Sequence, residues 1–534
     1  MTVNEQSIGT AAPAVAVGPP LDLLVDLITG PRIDAMPHRA AQQAPDRYAL
    51  RGPGGALTYR ELDERVDHFA AALWYLLGRS GVVVAVASVL DPVFAVAYYG
   101  VARAGDVSVV ANPLLPIPAL EYALRASDAE LAVVPPQAFG ALAAVRDRLP
   151  ALRHVVVTDR GDGVPADVPT VAELVAMGAT LPAAPESPAG QHSVASILFT
   201  SGTTGAPKAV PLTHRNLIVN AAQTAYAQEL TGSSVLLNYL PTFHTMHLNA
   251  AMCAVATQVL YVGGDVVGSI AAANEHGVTH YYSLPMRLAM LAAQPELGSL
   301  RLTTVTALLS GGSALPPATA ATLCTALRRP VVQGYGLAEA SPLTHFNSPD
   351  EPRAGSCGLP VAGTESRIVD IADRSVLAAG EVGELQVRGP QVMSGYLGTS
   401  TTDELDDAGW LSTGDVARMD ADGYLYLVDR LKDVFKVDNF LVSPTELEAV
   451  VRQHPSVADC VVVDQPDPIH GALAAALLVL RDGGAADAVV EFVNDRVPYY
   501  MRLHRVLAVE SIPRSRNGKV QRRELRTQLP ATDH

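Results

Sequence analysis

The sequence predicts a layered α/β protein with more than one domain. Short apolar runs that end near Pro or Gly, as buried strands do, alternate with amphipathic segments that begin with helix-capping residues. This alternation is typical of sheets that are covered by helices. The length of 534 residues also exceeds what one hydrophobic core normally supports, so we expect at least two domains.

The first helix and strand signals follow each other closely. Thr58 and Glu61 form a capping box, and the apolar residues that follow recur at helical spacing up to Leu77. A buried strand is predicted at Val82–Ala87.

Near the other end of the chain, Ser443–Glu446 combines a capping box with Pro at the first helical position, so a helix is predicted to begin at about residue 444.

The same alternation continues through the middle of the chain. Val194–Phe199 is an apolar run that ends at a polar loop, and Thr213 can cap a helix continuing through Tyr226. Ligands usually bind beyond the carboxyl ends of such strands, which makes the loop after Phe199 a candidate site. Further strand-like runs are Val235–Leu240, Val278–Leu284 and Val305–Leu309.

Composition and charge narrow the class of protein. Hydrophobic residues make up 49% and charged residues 17%, which excludes general disorder. The net charge of −16 argues against nucleic acid or an anionic membrane as the main partner. Any site for an anionic ligand must therefore be locally basic.

Cysteine usage and the N-terminus suggest a reducing compartment. The four cysteines have no spacing suited to zinc or to a disulfide framework. A signal peptide begins with basic residues, whereas this chain has no Lys or Arg before Arg32. The most apolar stretch, Gly81–Val101, is broken by Asp91 and Pro92 and reads as a strand and a helix. We expect a cytoplasmic protein without a membrane span, in which residues 1–20 form a mobile leader.

The loop after Phe199 has the composition of a phosphate-binding loop. Glycines let backbone amides approach anionic oxygens, hydroxyls add donors, and a lysine adds positive charge. The candidate residues are Thr200, Ser201, Gly202, Thr203, Thr204, Gly205 and Lys208. It is not a Walker A loop, because Lys208 is followed by Ala209 rather than by Ser or Thr. The alternative is a polar surface turn.

Four further segments follow this loop in order. They are Gln333–Glu339 (Gln-Gly-Tyr-Gly-Leu-Ala-Glu), Ser412–Asp415 (Ser-Thr-Gly-Asp), Asp429–Asp433 (Asp-Arg-Leu-Lys-Asp) and Pro513–Lys519 (Pro-Arg-Ser-Arg-Asn-Gly-Lys). Together the five motifs resemble those of the adenylate-forming superfamily, which includes acyl-CoA synthetases, aryl-CoA ligases, firefly luciferase and peptide-synthetase adenylation domains. The resemblance covers nearly everything after about residue 25.

The resemblance implies a specific domain organisation. A large N-terminal domain of layered α/β subdomains, residues 21–430, would bind ATP and an acid. A small mobile α+β C-terminal domain, residues 431–534, would carry the catalytic lysine. The hinge between them would be Lys432.

The implied chemistry is the conversion of a carboxylate into an acyl-AMP, with release of pyrophosphate. Because the carboxylate and the α-phosphate are both anions, neutralising and aligning them is the main catalytic task. By resemblance Lys519 touches both groups, and Gly518 lets its loop reach them. The alternative is a solvated basic tail, since four arginines surround this lysine.

The resemblance also assigns the nucleotide contacts. Glu339 would hold Mg²⁺, Tyr335 would stack on adenine, and Asp415 would accept hydrogen bonds from the ribose hydroxyls with Arg430 nearby. The remaining residues assigned to ATP are Gly311, Gly312, Gln333, Gly334 and Gly336. Each has a structural alternative: Tyr335 as a core residue, Asp415 as a turn residue, and Arg430 as a surface ion-pair partner.

The acid-binding region is less specific. Leu240–His244 resembles the family segment that gates the carboxylate pocket, which would place His244 beside the carbonyl. A hydrogen-bonded core histidine is the alternative. Residues 241–248 contain no acidic side chain that could bind an amino group, so an acid that is not an amino acid is expected. Small residues such as Ala250 and Ala254 leave room for an apolar group.

Several positions depart from the family pattern. In the predicted thiolation loop, Lys436–Asn439, an asparagine occupies the usual glycine position, and Asp438 adds an acidic group where an anionic thiol must pass. Thiol transfer is therefore in question, unless Asn439 preserves the turn through its tolerance of left-handed backbone. Ala338 replaces the usual Thr, and Ala209 a Gly, and both could slow adenylation.

Three functions remain open. The leading hypothesis is an acid–CoA ligase that uses ATP, Mg²⁺ and CoA. The second is an adenylating enzyme that delivers the acyl-AMP to another acceptor or partner enzyme. The third is a nucleotide-binding protein without activity, which the retention of Lys519, Glu339 and Asp415 disfavours. A monomer and a homodimer are equally compatible with the sequence.

Overall fold

The computed structural model describes residues 15–28, 30–88, 90–113, 116–200, 207–240, 245–399, 404–438, 440–467, 469–481, 483–513, 520 and 522–526. Within these ranges helices and strands alternate as the sequence predicts, and the α/β class is confirmed. Most of the predicted leader lies outside the described residues, although Val15–Val17 forms a strand.

The helices are distributed along the whole described chain. They are α1 (Ala35–Gln43), α2 (Tyr59–Leu77), α3 (Pro92–Arg103), α4 (Ile117–Ala126), α5 (Pro136–Ala143), α6 (Val171–Gly178), α7 (His214–Ala227), α8 (Thr245–Ala254), α9 (Val266–Glu275), α10 (Pro285–Ala292), α11 (Pro317–Leu327), α12 (Pro444–Val451), α13 (Ala486–Asn494) and α14 (Arg522–Arg526). Single 3₁₀ turns occur at Leu21–Leu24, Arg146–Arg148, Leu297–Ser299, Ala338–Ala340 and Tyr499–Met501. No helix among the described residues combines the length and the apolar character needed to cross a bilayer.

The strands are mostly short. They are β1 (Val15–Val17), β2 (Tyr48–Gly52), β3 (Gly55–Thr58), β4 (Val83–Ala87), β5 (Val107–Ala111), β6 (Leu131–Val134), β7 (His154–Val157), β8 (Val194–Phe199), β9 (Ala209–Thr213), β10 (Val235–Tyr239), β11 (Thr257–Leu260), β12 (His280–Ser283), β13 (Ala307–Ser310), β14 (Val331–Gly336), β15 (Leu343–Phe346), β16 (Leu359–Pro360), β17 (Glu365–Val369), β18 (Gly383–Arg388), β19 (Leu411–Met419), β20 (Leu425–Arg430), β21 (Phe435–Val437), β22 (Phe440–Val442), β23 (Val457–Asp467), β24 (Gly471–Leu480) and β25 (Leu503–Ala508). Every strand predicted from an apolar run is present.

The described residues pack into two compact units. The larger unit contains Ala16–Ser366 and Val387–Leu411, and the smaller unit contains Val15, Arg367–Gln386 and the described chain from Ser412 onward. The predicted boundary at residue 430 separates the domain that is expected to move from the rest of the chain. The two compact units do not test this movement, so the boundary stays a prediction.

Two largely parallel sheets form the larger unit. One has six strands in the order β7-β6-β4-β5-β8-β9, and only β9 runs antiparallel to its neighbour. The other has nine strands in the order β16-β15-β14-β13-β12-β10-β11-β2-β3, with a parallel centre from β14 to β2. Helices cover both sheets, which explains why their strands read as continuous apolar runs.

Local signals account for several helix ends in the larger unit. Thr58 and Glu61 form the predicted capping box, in which the Glu61 N–H donates to Thr58 Oγ1 and the Thr58 N–H donates to the Glu61 carboxylate. Thr213 caps α7 in the same way, with Asn216 as the reciprocal partner. The helix predicted through Tyr226 ends at Ala227.

The smaller unit has its own hydrophobic core. Strands β23 and β24 pair antiparallel, and β25 pairs parallel with β24. Helices α12 and α13 pack against this sheet through buried valines and leucines. The predicted helix at residue 444 is α12: Ser443 accepts a hydrogen bond from the Glu446 N–H. The reciprocal bond of the predicted box, from the Ser443 N–H to the Glu446 carboxylate, does not form. Asp429 instead accepts from the Ser443 hydroxyl and from the Thr445 N–H.

Candidate active site

Eight predicted site residues lie outside the described residues. They are Ser201, Gly202, Thr203, Thr204, Gly205, His244, Asn439 and Lys519. Their assigned roles remain predictions, and the geometry below concerns the residues around them.

The two ends of the predicted phosphate loop are fixed by a β-hairpin. Strands β8 and β9 pair antiparallel up to Phe199 and Ala209. Beyond that pair, the Thr200 N–H donates to the Lys208 carbonyl at 3.0 Å, and the Lys208 N–H lies 3.3 Å from Thr200 Oγ1. The hairpin therefore holds the first hydroxyl and the lysine of the loop side by side.

Lys208 is connected to the predicted metal ligand through an aromatic ring. Its Nζ lies 4.5 Å from the centre of the Tyr396 ring and forms an ion pair with Glu404. The Tyr396 hydroxyl donates to Glu339 Oε1 at 2.9 Å. The structure thus brings together the loop cation and the carboxylate predicted to hold Mg²⁺.

Backbone contacts reinforce this arrangement. The Met393 N–H donates to the Glu339 carbonyl at 2.8 Å, and the Leu397 N–H donates to the Ala209 carbonyl at 2.9 Å. Burial and the neighbouring Glu339 carboxylate raise the pKa of Tyr396, so its phenol stays protonated and continues to donate. The sequence motifs included neither Tyr396 nor Glu404. The nearby glycines Gly395 and Gly398 are the sequence signal that could have drawn attention to Tyr396.

Glu339 fits a role as a magnesium ligand. It is a half-buried carboxylate in the 3₁₀ turn Ala338–Ala340. The described residues contain no group of three or more His, Cys, Asp or Glu side chains that could form an all-protein metal cage. Magnesium in nucleotide sites usually takes one or two protein carboxylates and completes its coordination with phosphates and water, which suits a single glutamate.

Gly311 and Gly312, two of the residues assigned to ATP, follow the carboxyl end of β13, and Gln333 lies on the neighbouring strand β14. Gly312 follows β13 at φ +84°, a conformation that favours glycine. The Gln333 side chain does not extend outward: its Oε1 accepts from the Leu315 N–H at 2.9 Å, and its Nε2 donates to the Gly355 and Ser356 carbonyls. Gln333 therefore holds the loop that carries Gly311 and Gly312.

Gly336 and Tyr335 have structural reasons for their identity. A Cβ on Gly336 would stand 2.2 Å from the Pro342 carbonyl oxygen, so no other residue fits. Tyr335 is buried, with 8% of its surface exposed, and its ring centre lies 6.1 Å from that of His345. Burial lowers the pKa of His345 to about 3, so it is neutral. Stacking of Tyr335 on adenine stays a prediction.

In the smaller unit, the structure brings Asp415 and Arg430 together. They are register partners on β19 and β20, and Arg430 Nε lies 2.9 Å from Asp415 Oδ1. Asp415 is 5% exposed, while about half of the Arg430 side chain is exposed. The preceding Gly414 has φ +68° and donates its N–H to Glu384. This pair presents a carboxylate with a fixed orientation, as ribose binding requires.

The predicted hinge and thiolation loop follow β20. Lys432 lies in the turn after this strand, and Lys436 is exposed on β21. Val437 pairs with Phe440, so β21 and β22 form a tight hairpin. Asp438, the first loop residue, has φ +48°, as such tight hairpin turns require.

The acidic side chain in this loop has a partner. Asp438 Oδ1 lies 2.8 Å from His470 Nδ1, and the Asp438 N–H donates to the His470 carbonyl. The hydrogen bond to Asp438 raises the pKa of His470. When His470 is protonated, it offsets the negative charge that makes thiol transfer questionable.

Buried polar atoms without partners occur at the carboxyl ends of neighbouring strands in the nine-stranded sheet. Tyr239, Ser283 and Ser310 are consecutive register partners on β10, β12 and β13, and the hydroxyl of each is buried without a hydrogen-bond partner. Both side-chain atoms of Asn238 are also buried without partners. Unsatisfied buried groups are rare and often mark sites for water or ligand. The candidate site residues derived from the sequence did not include Asn238, Tyr239 or Ser283.

Comparison with known proteins identifies the family. Residues 37–397 match the model of the AMP-binding enzyme family, and residues 446–519 match the model of the AMP-binding enzyme C-terminal domain. The chain belongs to the AMP-binding enzymes, the adenylate-forming superfamily that the motifs indicate. The two matches agree with the expected large N-terminal and small C-terminal domains.

Individual relatives include ligases that act on different acids. The chain is 35% identical to 4-coumarate–CoA ligase 3 of Arabidopsis thaliana, over 64% of this chain and 64% of the relative. The structure of o-succinylbenzoate CoA synthetase from Bacillus subtilis with its acyl-adenylate intermediate matches at 25% identity and a TM-score of 0.79, covering 93% of this chain and 98% of that one.

The structure of an amide bond synthetase is equally similar. The amide bond synthetase McbA from Marinactinospora thermotolerans matches at 25% identity and a TM-score of 0.81, over 93% of this chain and 100% of that one. The chain spans about two thirds of the length of the curated relatives it matches, 64% for the Arabidopsis ligase. Sequence similarity therefore leaves the activity, acid and acceptor to be argued from the site.

Proposed function

We propose that the protein is an ATP-dependent acid–thiol ligase. It converts a carboxylic acid that is not an amino acid into an acyl-AMP with release of pyrophosphate, and then transfers the acyl group to CoA. The observation that carries this proposal is the linked set Lys208, Tyr396 and Glu339, which joins the phosphate-loop cation to a carboxylate suited to Mg²⁺.

The residues divide the work of adenylation. Lys208 offsets the negative charge of the phosphates, and the Tyr396 hydroxyl holds the Glu339 carboxylate in place. Mg²⁺ held by Glu339 would screen the charge of the departing pyrophosphate. Asp415 would orient the ribose, and Lys519 would neutralise the reacting carboxylate and α-phosphate.

All four cysteines are free thiols, which supports a cytoplasmic location.

A second acceptor is favoured by one observation. Asp438 places a carboxylate in the loop that would guide the thiol of CoA, and this charge opposes an anionic acceptor whenever His470 is neutral. The alternative function is therefore formation of an acyl-AMP that is delivered to an amine or to a partner enzyme.

A panel of carboxylic acids with ATP and Mg²⁺, with and without CoA, tests both functions. Mass spectrometry separates acyl-AMP from thioester. A thioester that appears only with CoA supports the ligase. Acyl-AMP that accumulates unchanged in the presence of CoA supports the alternative, and neither product with any acid contradicts adenylation itself.

A further inference from the structure

Asn238 is the most unusual buried residue of the larger unit. It is the penultimate residue of β10, none of its surface is exposed, and neither Oδ1 nor Nδ2 has a hydrogen-bond partner. An unsatisfied buried amide is costly, because it has lost water and gained nothing. An unsatisfied amide of this kind indicates that a bound ligand or water hydrogen-bonds to it when the protein functions.

The surroundings show which way this side chain faces. Tyr282 on β12 is its register partner, and Gln258 on β11 pairs with Leu236, two residues before Asn238, so all three side chains share one face of the sheet. The ring centre of Tyr282 lies 4.2 Å from that of His247, and the Gln258 amide donates to the His247 carbonyl. Asn238 therefore faces the start of α8.

This position adjoins the predicted acid site. Helix α8 begins at Thr245, directly after the segment that contains His244. The flanking donors are already engaged: the Tyr282 hydroxyl donates to Gln228, and Gln258 Nε2 donates to the His247 carbonyl, while Gln258 Oε1 has no partner. The amide of Asn238 lies beside them with both N–H donors of Nδ2 and its Oδ1 acceptor unused.

We infer that Asn238 recognises the acid itself, and that the preferred acid carries an uncharged group that both donates and accepts a hydrogen bond, of which a hydroxyl is the simplest. This inference rests on the proposed function. An uncharged group is required because a charged one would be buried beside an amide, with no ionised side chain among its register partners Leu260 and Tyr282. A hydroxyl satisfies Nδ2 and Oδ1 together.

The test uses matched acids. Benzoic, phenylacetic and cinnamic acids are each compared with their ring-hydroxylated analogues in acid-dependent exchange of labelled pyrophosphate with ATP. The wild-type protein is expected to prefer the hydroxylated member of at least one pair by about ten-fold or more in kcat/KM, because removing the hydroxyl leaves a buried amide unpaired. Asn238→Leu and Asn238→Ala are expected to remove this preference by lowering kcat/KM for the hydroxylated member, with the unsubstituted member of the same pair as the reference.

A matched variant controls for folding. Asn220 is also a buried asparagine, but its amide bonds to Gln223 and to both backbone groups of Leu343. Asn220→Leu should lower the melting temperature, whereas Asn238→Leu should leave it unchanged or raise it, since no bond is lost.

Each outcome bears on one claim. If the wild-type protein exchanges with several acids but shows no preference within any pair, or if Asn238→Leu keeps the preference, the amide is satisfied by water and the inference is wrong. If no acid supports exchange, the proposed function fails, and the inference fails with it.

Discussion

The hydroxyl of Tyr396 donates a hydrogen bond of 2.9 Å to Oε1 of Glu339, while the ring of the same tyrosine lies beneath the ammonium group of Lys208. One side chain thus touches both the positive and the negative group predicted to handle the phosphates of ATP. Tyr396 is therefore the first target for mutation in the candidate site.

Tyr396→Phe keeps the ring and removes the hydroxyl. Glu339 then loses the donor that orients it, and we expect the Mg²⁺ concentration needed for half-maximal pyrophosphate exchange to rise by about three- to ten-fold, as for loss of one hydrogen bond to a charged group. Tyr426→Phe is the control, because its hydroxyl lies near the Asp420 carboxylate in the smaller unit. An unchanged Mg²⁺ dependence in Tyr396→Phe would show that the bond has no role in metal binding.

Glu404→Gln should strengthen ATP binding. The Glu404 carboxylate competes with phosphate for Lys208, and both side chains are partly exposed, so releasing the lysine is worth at most about five-fold in the dissociation constant for ATP. Lys208→Met should weaken ATP binding by about ten-fold or more. Calorimetric titration with ATP measures both changes, and weaker binding by Glu404→Gln would mean that Glu404 assists the nucleotide.

Asp106→Asn should change how stability depends on pH. Burial raises the pKa of Asp106 to about 7, above the value of about 3.9 expected in the unfolded chain. Between these values the folded protein holds a proton that the unfolded chain has released, so this residue makes stability fall as pH rises from about 4 to about 7. The amide cannot ionise, and the variant should melt at a higher temperature than the wild type at about pH 8.

The difference should be smaller at about pH 5, where Asp106 is protonated in the folded protein. The exposed Asp46, which pairs only with the exposed Arg60, provides the control: Asp46→Asn should shift the melting temperature little at either pH. Equal melting curves for Asp106→Asn and wild type at about pH 8 would show that the buried charge of Asp106 does not destabilise the folded protein at that pH.

His470→Ala should affect CoA and spare adenylation. The pKa of His470 is raised by its hydrogen bond to Asp438, and Asp467 adds to this effect. Below that pKa the histidine is charged and offsets Asp438, whereas above it the Asp438 charge stands alone. We expect the KM for CoA to rise with pH in the wild type and to be uniformly high in His470→Ala.

Asp438→Asn supplies the complementary result. Without the acidic group, the KM for CoA should be low and nearly independent of pH, because no charge remains for His470 to offset. Thioester formation by mass spectrometry gives these values, with pyrophosphate exchange as the internal reference. A pH profile for CoA that is the same in all three proteins would exclude Asp438 from the path of the thiol.

Sequence patterns predict the elements of this fold better than the contacts between them. The capping box at Thr58, the helix cap at Thr213 and the buried runs at Val194–Phe199 and Val235–Leu240 follow from local spacing. The structure contains all of them, with the last strand ending at Tyr239. The motif order was also sufficient to identify the family, since each motif is a short segment with its own chemistry.

The contacts that complete the site are not visible in local sequence. Lys208 and Glu404 are 196 residues apart, so their ion pair depends on the assembled fold. The unsatisfied amide of Asn238 appears only once the neighbours on β11 and β12 are in place. Gln333 was predicted as a nucleotide contact, and its side-chain bonds to Leu315, Gly355 and Ser356 show that it also supports the loop.

The most direct test of adenylation is acid-dependent exchange of labelled pyrophosphate into ATP, measured for the wild type and for Lys519→Ala. The account predicts exchange with at least one acid in the panel and a loss of about a hundred-fold or more in the variant, because one cation aligns two anions in the transition state. Absence of exchange with every acid, or equal exchange in Lys519→Ala, would contradict it.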